Sequence, residues 1–195
     1  MISSEYLVRC ARYALDKGFV YWYGTFGSEV CSQDLFNRKK KQYPNYYDQS
    51  KYKVSFTQQI KNKDIPVDCA GLLKFALMQP DYSKIGFSKY NPTYDLSANG
   101  YITNGCSQTG AISSIPDIPG IIVWKEGHLG IYVGSGKVIE ARGHDYGVVM
   151  TDLNSRGWQK WGKCKWVTYT TTPTYTAEQA MADIKKVVDK YYANK

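Results

Sequence analysis

The chain has few residues of the kinds that metal centres and membrane segments need. Its 195 residues include only two histidines, and none of its five cysteines has the C-x-x-C spacing of a zinc site. No run approaches the roughly 18 apolar residues of a membrane-spanning helix. The first residues also lack the basic and then apolar pattern of a secretory signal. We therefore expect no metal, no organic cofactor, no membrane span and no signal peptide.

What is present suits a globular domain with an anionic partner. The chain is 43% hydrophobic and 22% charged, a composition that excludes disorder of the whole chain. Eighteen tyrosines and five tryptophans are typical of grooves that hold sugars or extended peptides. The formal charge of +8 favours a polyanion, such as nucleic acid, an anionic membrane face or anionic wall polymers. We interpret the basic run 38–41 as a solvated face.

Helical periodicity in the first half and short strands in the second predict an α+β fold. The patterns predict helices over 4–17 and 31–42, a central buried helix from Cys69 to Pro80, and strands over 121–124, 128–133, 137–142, 148–151 and 164–169. Residues 81–118 are rich in turn signals and receive no element. We predict a catalytic domain over 1–170, with a linker and a C-terminal amphipathic helix over 171–195.

The cysteines other than Cys69 have no predicted chemistry. Cys10 falls on the apolar face of the first helix, and Cys164 is predicted to share a strand face with Trp166, so both are expected in the core. Cys31 and Cys106 lie in polar, loop-like sequence and stay open. With an odd number of cysteines, at least one is free or pairs with another chain.

Cys69 directly follows Asp68 at the start of an apolar helix. A cysteine attacks as the thiolate, and unpaired N–H groups in the first turn of a helix stabilise that negative charge. An adjacent imidazole can accept the thiol proton and later protonate a leaving amine. On the motif alone, Cys69 as a buried core cysteine and Asp68 as a simple N-cap remain equal alternatives.

His128 opens the predicted strand 128–133, with Gly130 and Tyr132 on its face. If the next turn has three residues, with Gly136 in the left-handed conformation, residue 130 lies opposite Glu140. The Glu140 carboxylate is then one diagonal step from His128 and can orient the imidazole. A two-residue turn would send Glu140 to the other face. His144, in a predicted loop, is the rival base, and we interpret it as a surface or substrate-edge residue.

These segments carry a family resemblance. Asp68-Cys69-Ala70-Gly71-Leu72 resembles the D-C-S-G-L element of the NlpC-type, papain-like peptidoglycan peptidases, with alanine in place of serine. The run 128–134 is similar to that family's H-V-G-I-Y-x-G, and 21–25 and 119–123 resemble its Y-x-Y-G-G and P-G-D-L-V elements. The likeness covers roughly residues 4–168, with segments near 32–64 and 81–116 that fit it poorly and are interpreted as insertions. The segments 138–144 and 158–164 look most like phage and prophage wall-lytic members.

The resemblance implies a papain-like α+β fold, with helices packed on a small antiparallel sheet. It implies Cys69 as nucleophile, His128 as base and Glu140 at the third polar position. It also implies that Tyr23 lines the site near the oxyanion and that Asp68 meets a substrate amine. Two residues of the phage-like segment, Arg142 and His144, are predicted to contact substrate.

The expected function is therefore hydrolysis of an amide in the peptide part of bacterial peptidoglycan by a monomeric thiol enzyme. It needs no cofactor, and its basic surface suits anionic wall polymers. A phage endolysin, held in the cytoplasm until release and then acting on the cell wall, is the expected setting. Two alternatives stay open: a thiol acyltransferase or effector acting on other amides, and a basic nucleic-acid-binding module. We expect no nucleic-acid partner, because no motif of that kind is present.

Overall fold

The computed structural model of the chain describes residues 1–86 and 88–169, in which most helices precede the main sheet. The helices are α1 (Ser4–Asp16), α2 (Gln33–Gln42), α3 (Pro44–Tyr47), α4 (Lys53–Asn62), α5 (Cys69–Met78) and α6 (Ala98–Gly100), which runs into a π-helical turn, Tyr101–Gly105. The strands are β1 (Ile2–Ser3), β2 (Val20–Tyr21), β3 (Pro66–Val67), β4 (Cys106–Ala111), β5 (Ile122–Lys125), β6 (His128–Tyr132), β7 (Lys137–Gly143), β8 (Gly147–Asp152), β9 (Lys160–Cys164) and β10 (Val167–Thr168). Single 3-10 turns lie at Ser50–Tyr52, Pro92–Tyr94, Ile112–Ser114 and Leu153–Ser155. The predicted α+β class is confirmed.

The main sheet has six antiparallel strands in the order β4-β9-β5-β6-β7-β8. Alternation along β6 sends Leu129 and Ile131 into the main core, where α1 and α5 cover the sheet. Tyr132 points to the opposite face and joins a second apolar cluster that includes Trp158. The sheet is therefore covered on both faces, and α5 packs against the strand that begins at His128.

Local sequence explains the two long helices of the core. Ser3 caps α1 by accepting the N–H of Tyr6 at 3.1 Å, and Asp68 caps α5 in the same way through Gly71. Helix α1 buries one stripe of residues, whereas α5 is apolar on nearly every side and buries eight of its ten residues. The prediction of α5 as the central buried helix is confirmed.

The β6–β7 hairpin has the register that brings Glu140 to the face of His128. Ile131 pairs with Ile139 and Tyr132 with Val138, which places residue 130 opposite residue 140. The turn is the three-residue Gly134–Gly136, and Gly136 has a φ of 68°, in the left-handed region that favours glycine. The three-residue alternative is thus confirmed, and Glu140 lies on the face that carries His128.

The last predicted strand, 164–169, is wrong. Strand β9 ends at Cys164, and the chain turns at Lys165 and Trp166 so that β10 can pair in parallel with β1. Cys164 is buried in the core as expected, but it does not share a strand face with Trp166. Residues 81–118, which had no predicted element, supply the edge strand β4; its sequence is polar because four of its six residues are exposed.

The segment 32–64, which fits the family resemblance poorly, forms α2, α3 and α4 around a small aromatic cluster of its own. Trp22 is the central side chain, packed edge-to-face against Phe36, Tyr47 and Phe56. Its indole nitrogen donates to Gln59 at 2.6 Å. The cluster therefore attaches the segment to the strand β2 region, next to one wall of the site described below.

Several other expectations concern single residues or the chain end. Cys10 and Cys31 are buried, Cys106 is half-buried, and all five cysteines are free thiols. Of the helices in residues 1–86 and 88–169, none is long and apolar enough to cross a membrane. The predicted domain boundary, linker and final helix over 171–195 lie outside the described residues.

Candidate active site

Cys69 is the first residue of α5, so its side chain lies in the turn whose N–H groups have no partner within the helix. Its Sγ is 3.9 Å from the carbonyl oxygen of Gly127, and the backbone N–H of Leu129 also interacts with it. Because Gly127 and Leu129 flank His128, the sulfur lies against the first residues of β6. The cysteine at the start of α5 and the histidine at the start of β6 therefore lie on elements that pack against each other.

Asp68 and Gly71 hold this end of α5 against the loop after β2. The Asp68 carboxylate accepts the N–H of Gly71 at 2.5 Å and the N–H of Gly24 at 2.8 Å, and its own N–H donates to the Thr25 carbonyl. A methyl group on Gly71 would overlap that same carbonyl oxygen, so the close approach requires glycine. The helix start that carries Cys69 is thereby fixed in place.

His128 is oriented by Glu140 across the hairpin. The imidazole Nε2 lies 2.7 Å from Glu140 Oε2, and the ring stacks on Trp158 with centroids 5.5 Å apart and an interplanar angle of 10°. Nδ1 has no hydrogen-bond partner within the described part of the chain. A neutral imidazole whose Nε2 donates to the carboxylate presents an unprotonated Nδ1, which is the form a general base needs.

Glu140 is wholly buried, with 0% exposure, yet it is ionised. Burial alone would raise its pKa, but the hydrogen bonds from His128, Arg156 and Thr151 lower it to about 2. Arg156 makes a two-point contact, Nε to Oε1 at 2.7 Å and Nη2 to Oε2 at 3.1 Å, and Thr151 donates to Oε1 at 2.8 Å. Four donors to one carboxylate provide a fixed negative charge behind the imidazole.

The sulfur itself is protonated in the free protein. Burial, and then the charge of Asp68, raise the pKa of the Cys69 thiol to about 12, although the N–H groups of Leu129, Ala70 and Cys69 act in the opposite direction. Burial likewise raises the pKa of Asp68. Attack by Cys69 therefore requires transfer of its proton to a nearby base as the reaction proceeds.

The sulfur opens onto a cleft of about 510 Å³. Cys69 is 8% exposed, so only one side of the side chain faces this space. The cleft is lined by the loop after β2, by α2 and α5, by α6 with the segment before it, and by the β5–β6 turn. The lining residues are Tyr23, Gly24, Thr25, Phe26, Lys39, Gln42, Tyr43, Asp68, Cys69, Ala70, Lys74, Tyr90, Asp95, Leu96, Ser97, Ala98, Asn99 and Gly127. A cleft of this size and polarity can admit several residues of a peptide.

Two tyrosines of the 21–25 motif have different positions. Tyr23 is 45% exposed and lines the cleft, with its ring edge-to-face against Tyr43 at 4.9 Å. Tyr21 is more deeply placed. Burial, and then the charges that Cys69 and Asp68 can carry, raise its pKa. Tyr21 is therefore the inner tyrosine of the motif and does not line the cleft, a difference that the sequence motif did not reveal.

Arg142 and His144, like His128 and Glu140, are not among the described residues that line the cleft. The Arg142 guanidinium lies 4.0 Å from the centroid of the Tyr146 ring. His144 is buried, contrary to the expectation of a surface residue, because the aromatic segment 43–56 covers it. Its Nδ1 is 2.9 Å from the Tyr46 hydroxyl and its Nε2 is hydrogen-bonded to Ser55. With both nitrogens engaged, His144 has no free position for a thiol proton.

Comparisons with known proteins give remote structural likenesses only. No family model matches the chain, and no curated protein matches it at a significant level. Among solved structures, it is similar to the peptidoglycan hydrolase RipB of Mycobacterium tuberculosis, with 16% identity, coverage of 82% of this chain and 63% of that one, and a TM-score of 0.45. It is also similar to NlpC2 of Trichomonas vaginalis, with 18% identity, coverage of 86% of this chain and 47% of that one, and a TM-score of 0.46.

A third similar structure is the NlpC/p60 domain of the peptidoglycan hydrolase SagA, at 13% identity and a TM-score of 0.45, with coverage of 83% of this chain and 99% of that one. The chain thus spans less than two thirds of the length of RipB and of NlpC2. At these identities and TM-scores the likenesses carry no conclusion about function.

Sequence reasoning missed the residues that hold His128 and Glu140 in place. Thr151 could have been found, since it lies on the Glu140 face of a predicted strand next to β7. Arg156 and Trp158 follow β8 in a loop, and no local pattern brings them to the site. Asn99 accepts the Gly127 N–H at 2.9 Å from the segment that had no predicted element.

No group of three or more His, Cys, Asp or Glu side chains that could hold a metal ion occurs within residues 1–86 and 88–169. The site as described consists of a thiol, an imidazole and a carboxylate, with backbone N–H groups at the helix start. This set can perform nucleophilic substitution at a carbonyl carbon.

Proposed function

We propose that this protein is a cysteine peptidase that hydrolyses an amide bond in the peptide part of bacterial peptidoglycan. The observation that carries the thiol chemistry is the His128–Glu140 hydrogen bond of 2.7 Å beside the Cys69 sulfur at the start of α5. The substrate class is supported by the resemblance of the 68–72 and 128–134 motifs to NlpC-type peptidases. The net charge of +8 suits an enzyme that works against an anionic wall.

The proposed reaction begins with attack of Cys69 Sγ on the amide carbonyl carbon. The thiol proton passes to Nδ1 of His128, and the Glu140 carboxylate on Nε2 stabilises the imidazolium. The Cys69 N–H, unpaired in the first turn of α5, donates to the oxyanion. The C–N bond then breaks, the amine leaves with the proton from His128, and a thioester remains. Water, deprotonated by His128, hydrolyses the thioester to the carboxylate and restores the thiol.

The other predicted residues receive roles in substrate binding. Tyr23 and Asp68 line the same cleft as Cys69, where an aromatic ring and a carboxylate can contact the acyl chain and its amine. Arg142 and His144 lie outside the cleft lining, so direct substrate contact by them requires a substrate that extends toward the β7–β8 turn. We propose a phage endolysin as the biological setting, since the segments 138–144 and 158–164 look most like phage lytic enzymes.

Digestion of purified sacculi by the wild type and by Cys69→Ala tests the function. We expect soluble fragments with a new free amine and a new free carboxylate from the wild type only, identified by mass spectrometry. Equal release by both proteins would remove Cys69 from the mechanism. Products that lack the new carboxylate would indicate acyl transfer instead of hydrolysis, and failure of the wild type to lower the turbidity of a bacterial suspension would argue against an endolysin.

A further inference from the structure

Lys39 on α2 is a cation of the cleft that lacks an acidic partner. The residues on either side of it are paired: Arg38 with Glu29 and Asp34 at 2.7 and 2.8 Å, and Lys40 with Asp48. Lys39 is half-buried and lines the cleft that contains Cys69. Among the described residues, no carboxylate lies within 4.0 Å of its ammonium group. The basic run is therefore not uniformly a solvated face.

The carboxylates nearest to the cleft are committed to other groups. Asp95 accepts Lys74 Nζ at 2.5 Å and the Tyr90 hydroxyl at 2.9 Å. Asp68 accepts the N–H groups of Gly71 and Gly24 and holds the start of α5. Neither is free to move to Lys39 without losing those contacts.

Lys39 has weaker polar contacts than the ion pairs of Arg38 and Lys40. Its Nζ contacts Gln42 Oε1 at 3.2 Å and lies 5.8 Å from the centroid of the Tyr43 ring. Burial lowers the pKa of Lys39, with the charges of Asp68 and Asp95 opposing that shift. A half-buried ammonium group that keeps its charge with one neutral acceptor can form a strong further bond to an incoming anion.

We infer that Lys39 binds a carboxylate of the peptide substrate, so that the enzyme prefers a stem peptide with a free carboxylate near the scissile amide over its carboxamide form. This inference rests on the proposed function. The contact comes from the segment 32–64, which fits the family resemblance poorly, so we expect the preference to be particular to this chain. The residue positions substrate and takes no part in bond cleavage.

Binding to the Cys69→Ala protein tests the inference without requiring turnover. Two synthetic stem peptides are compared by calorimetry, identical except that the side-chain or terminal carboxylate of one is a carboxamide in the other. We expect the acidic peptide to bind about tenfold more tightly. Adding Lys39→Met should remove that difference, whereas Lys39→Arg should retain it. The matched control is Lys41→Met, an exposed position two residues along α2, which should leave the preference unchanged.

Turnover by the otherwise wild-type chain gives the second readout. With Lys39→Met we expect KM for the acidic peptide to rise about tenfold while kcat changes little, and the carboxamide peptide to be cleaved as before. Equal binding of the two peptides, or an equal loss with Lys41→Met, would overturn the inference even if peptidoglycan is cleaved. Conversely, a Lys39-dependent preference in a protein that cleaves no peptide would support the anion site and reject the proposed function.

Discussion

The two histidines of the chain lie 16 positions apart and have opposite surroundings. The His128 side chain is 14% exposed, with a buried carboxylate on one nitrogen and no protein partner, in the described residues, on the other. His144 is enclosed by Tyr46, Ser55 and Tyr52, its ring stacked on Tyr52 at 3.9 Å. One nitrogen of the His128 ring has no partner in the described residues, whereas both nitrogens of the His144 ring are hydrogen-bonded.

The difference shows what makes a histidine chemically competent. The Glu140 carboxylate holds Nε2 of His128 and leaves Nδ1 without a partner in the described residues. The hydroxyl partners of His144 carry no charge, and burial lowers its pKa, so a proton there is disfavoured. Thus His144 packs the segment 32–64 against the β7–β8 turn, whereas His128 opens β6 directly after Gly127, whose carbonyl oxygen lies 3.9 Å from the Cys69 sulfur.

Replacing His128 by alanine should have the largest effect on activity. We expect kcat/KM on soluble peptidoglycan fragments to fall about 10³-fold, because the thiol loses the base that accepts its proton. The melting temperature should change little, since the side chain is partly exposed and Glu140 keeps its contacts with Arg156 and Thr151. Activity within tenfold of the wild type would assign the base elsewhere and break the contrast.

Replacing Glu140 by glutamine should change how stability depends on pH. The folded-state pKa of Glu140, about 2, is below its ordinary value of 4.5, so its contribution is present above pH 4.5 and is lost as the pH falls through 2. We expect the wild type to be about 3 kcal/mol more stable than Glu140→Gln at pH 7, with the gap closing toward pH 2.

Urea unfolding at several pH values measures that gap. Glu126→Gln is a suitable control, because Glu126 is an exposed glutamate in the turn before β6. The stability of this variant should depend on pH as that of the wild type does. Parallel curves for the wild type and Glu140→Gln over the whole range would mean that the buried carboxylate is not ionised as described.

Replacing His144 by phenylalanine should affect stability more than catalysis. The hydroxyls of Tyr46 and Ser55 lose their ring partner, which should lower the free energy of unfolding by about 1–2 kcal/mol. We expect kcat/KM to stay within about threefold of the wild type, because both His144 ring nitrogens are hydrogen-bonded and neither can accept a thiol proton. A loss comparable to that of His128→Ala would show that the two histidines act together in the reaction.

Much of the fold was accessible from local patterns. The bounds of α1 and α5 and the order of the hairpin strands follow from periodicity, capping and turn residues. The face shared by His128 and Glu140 was one of two alternatives, and the three-residue turn selects it. The misplaced strand at 164–169 and the overlooked β4 have a common cause. Both depend on pairing with chain that is distant in sequence, β1 for the former and β9 for the latter, and such pairing leaves little mark on the residues themselves.

Short-range patterns were enough to propose the reactive groups: a cysteine after a capping aspartate, a histidine at the start of a strand, and a glutamate 12 residues later. The support of these side chains became visible only in the folded chain. The burial of Glu140 under Arg156, the stacking of Trp158 on His128, the enclosure of His144 and the position of Lys39 at the cleft, without a carboxylate partner in the described residues, arise where separate elements pack together. Contacts of that kind depend on three-dimensional proximity, which no spacing along the chain encodes.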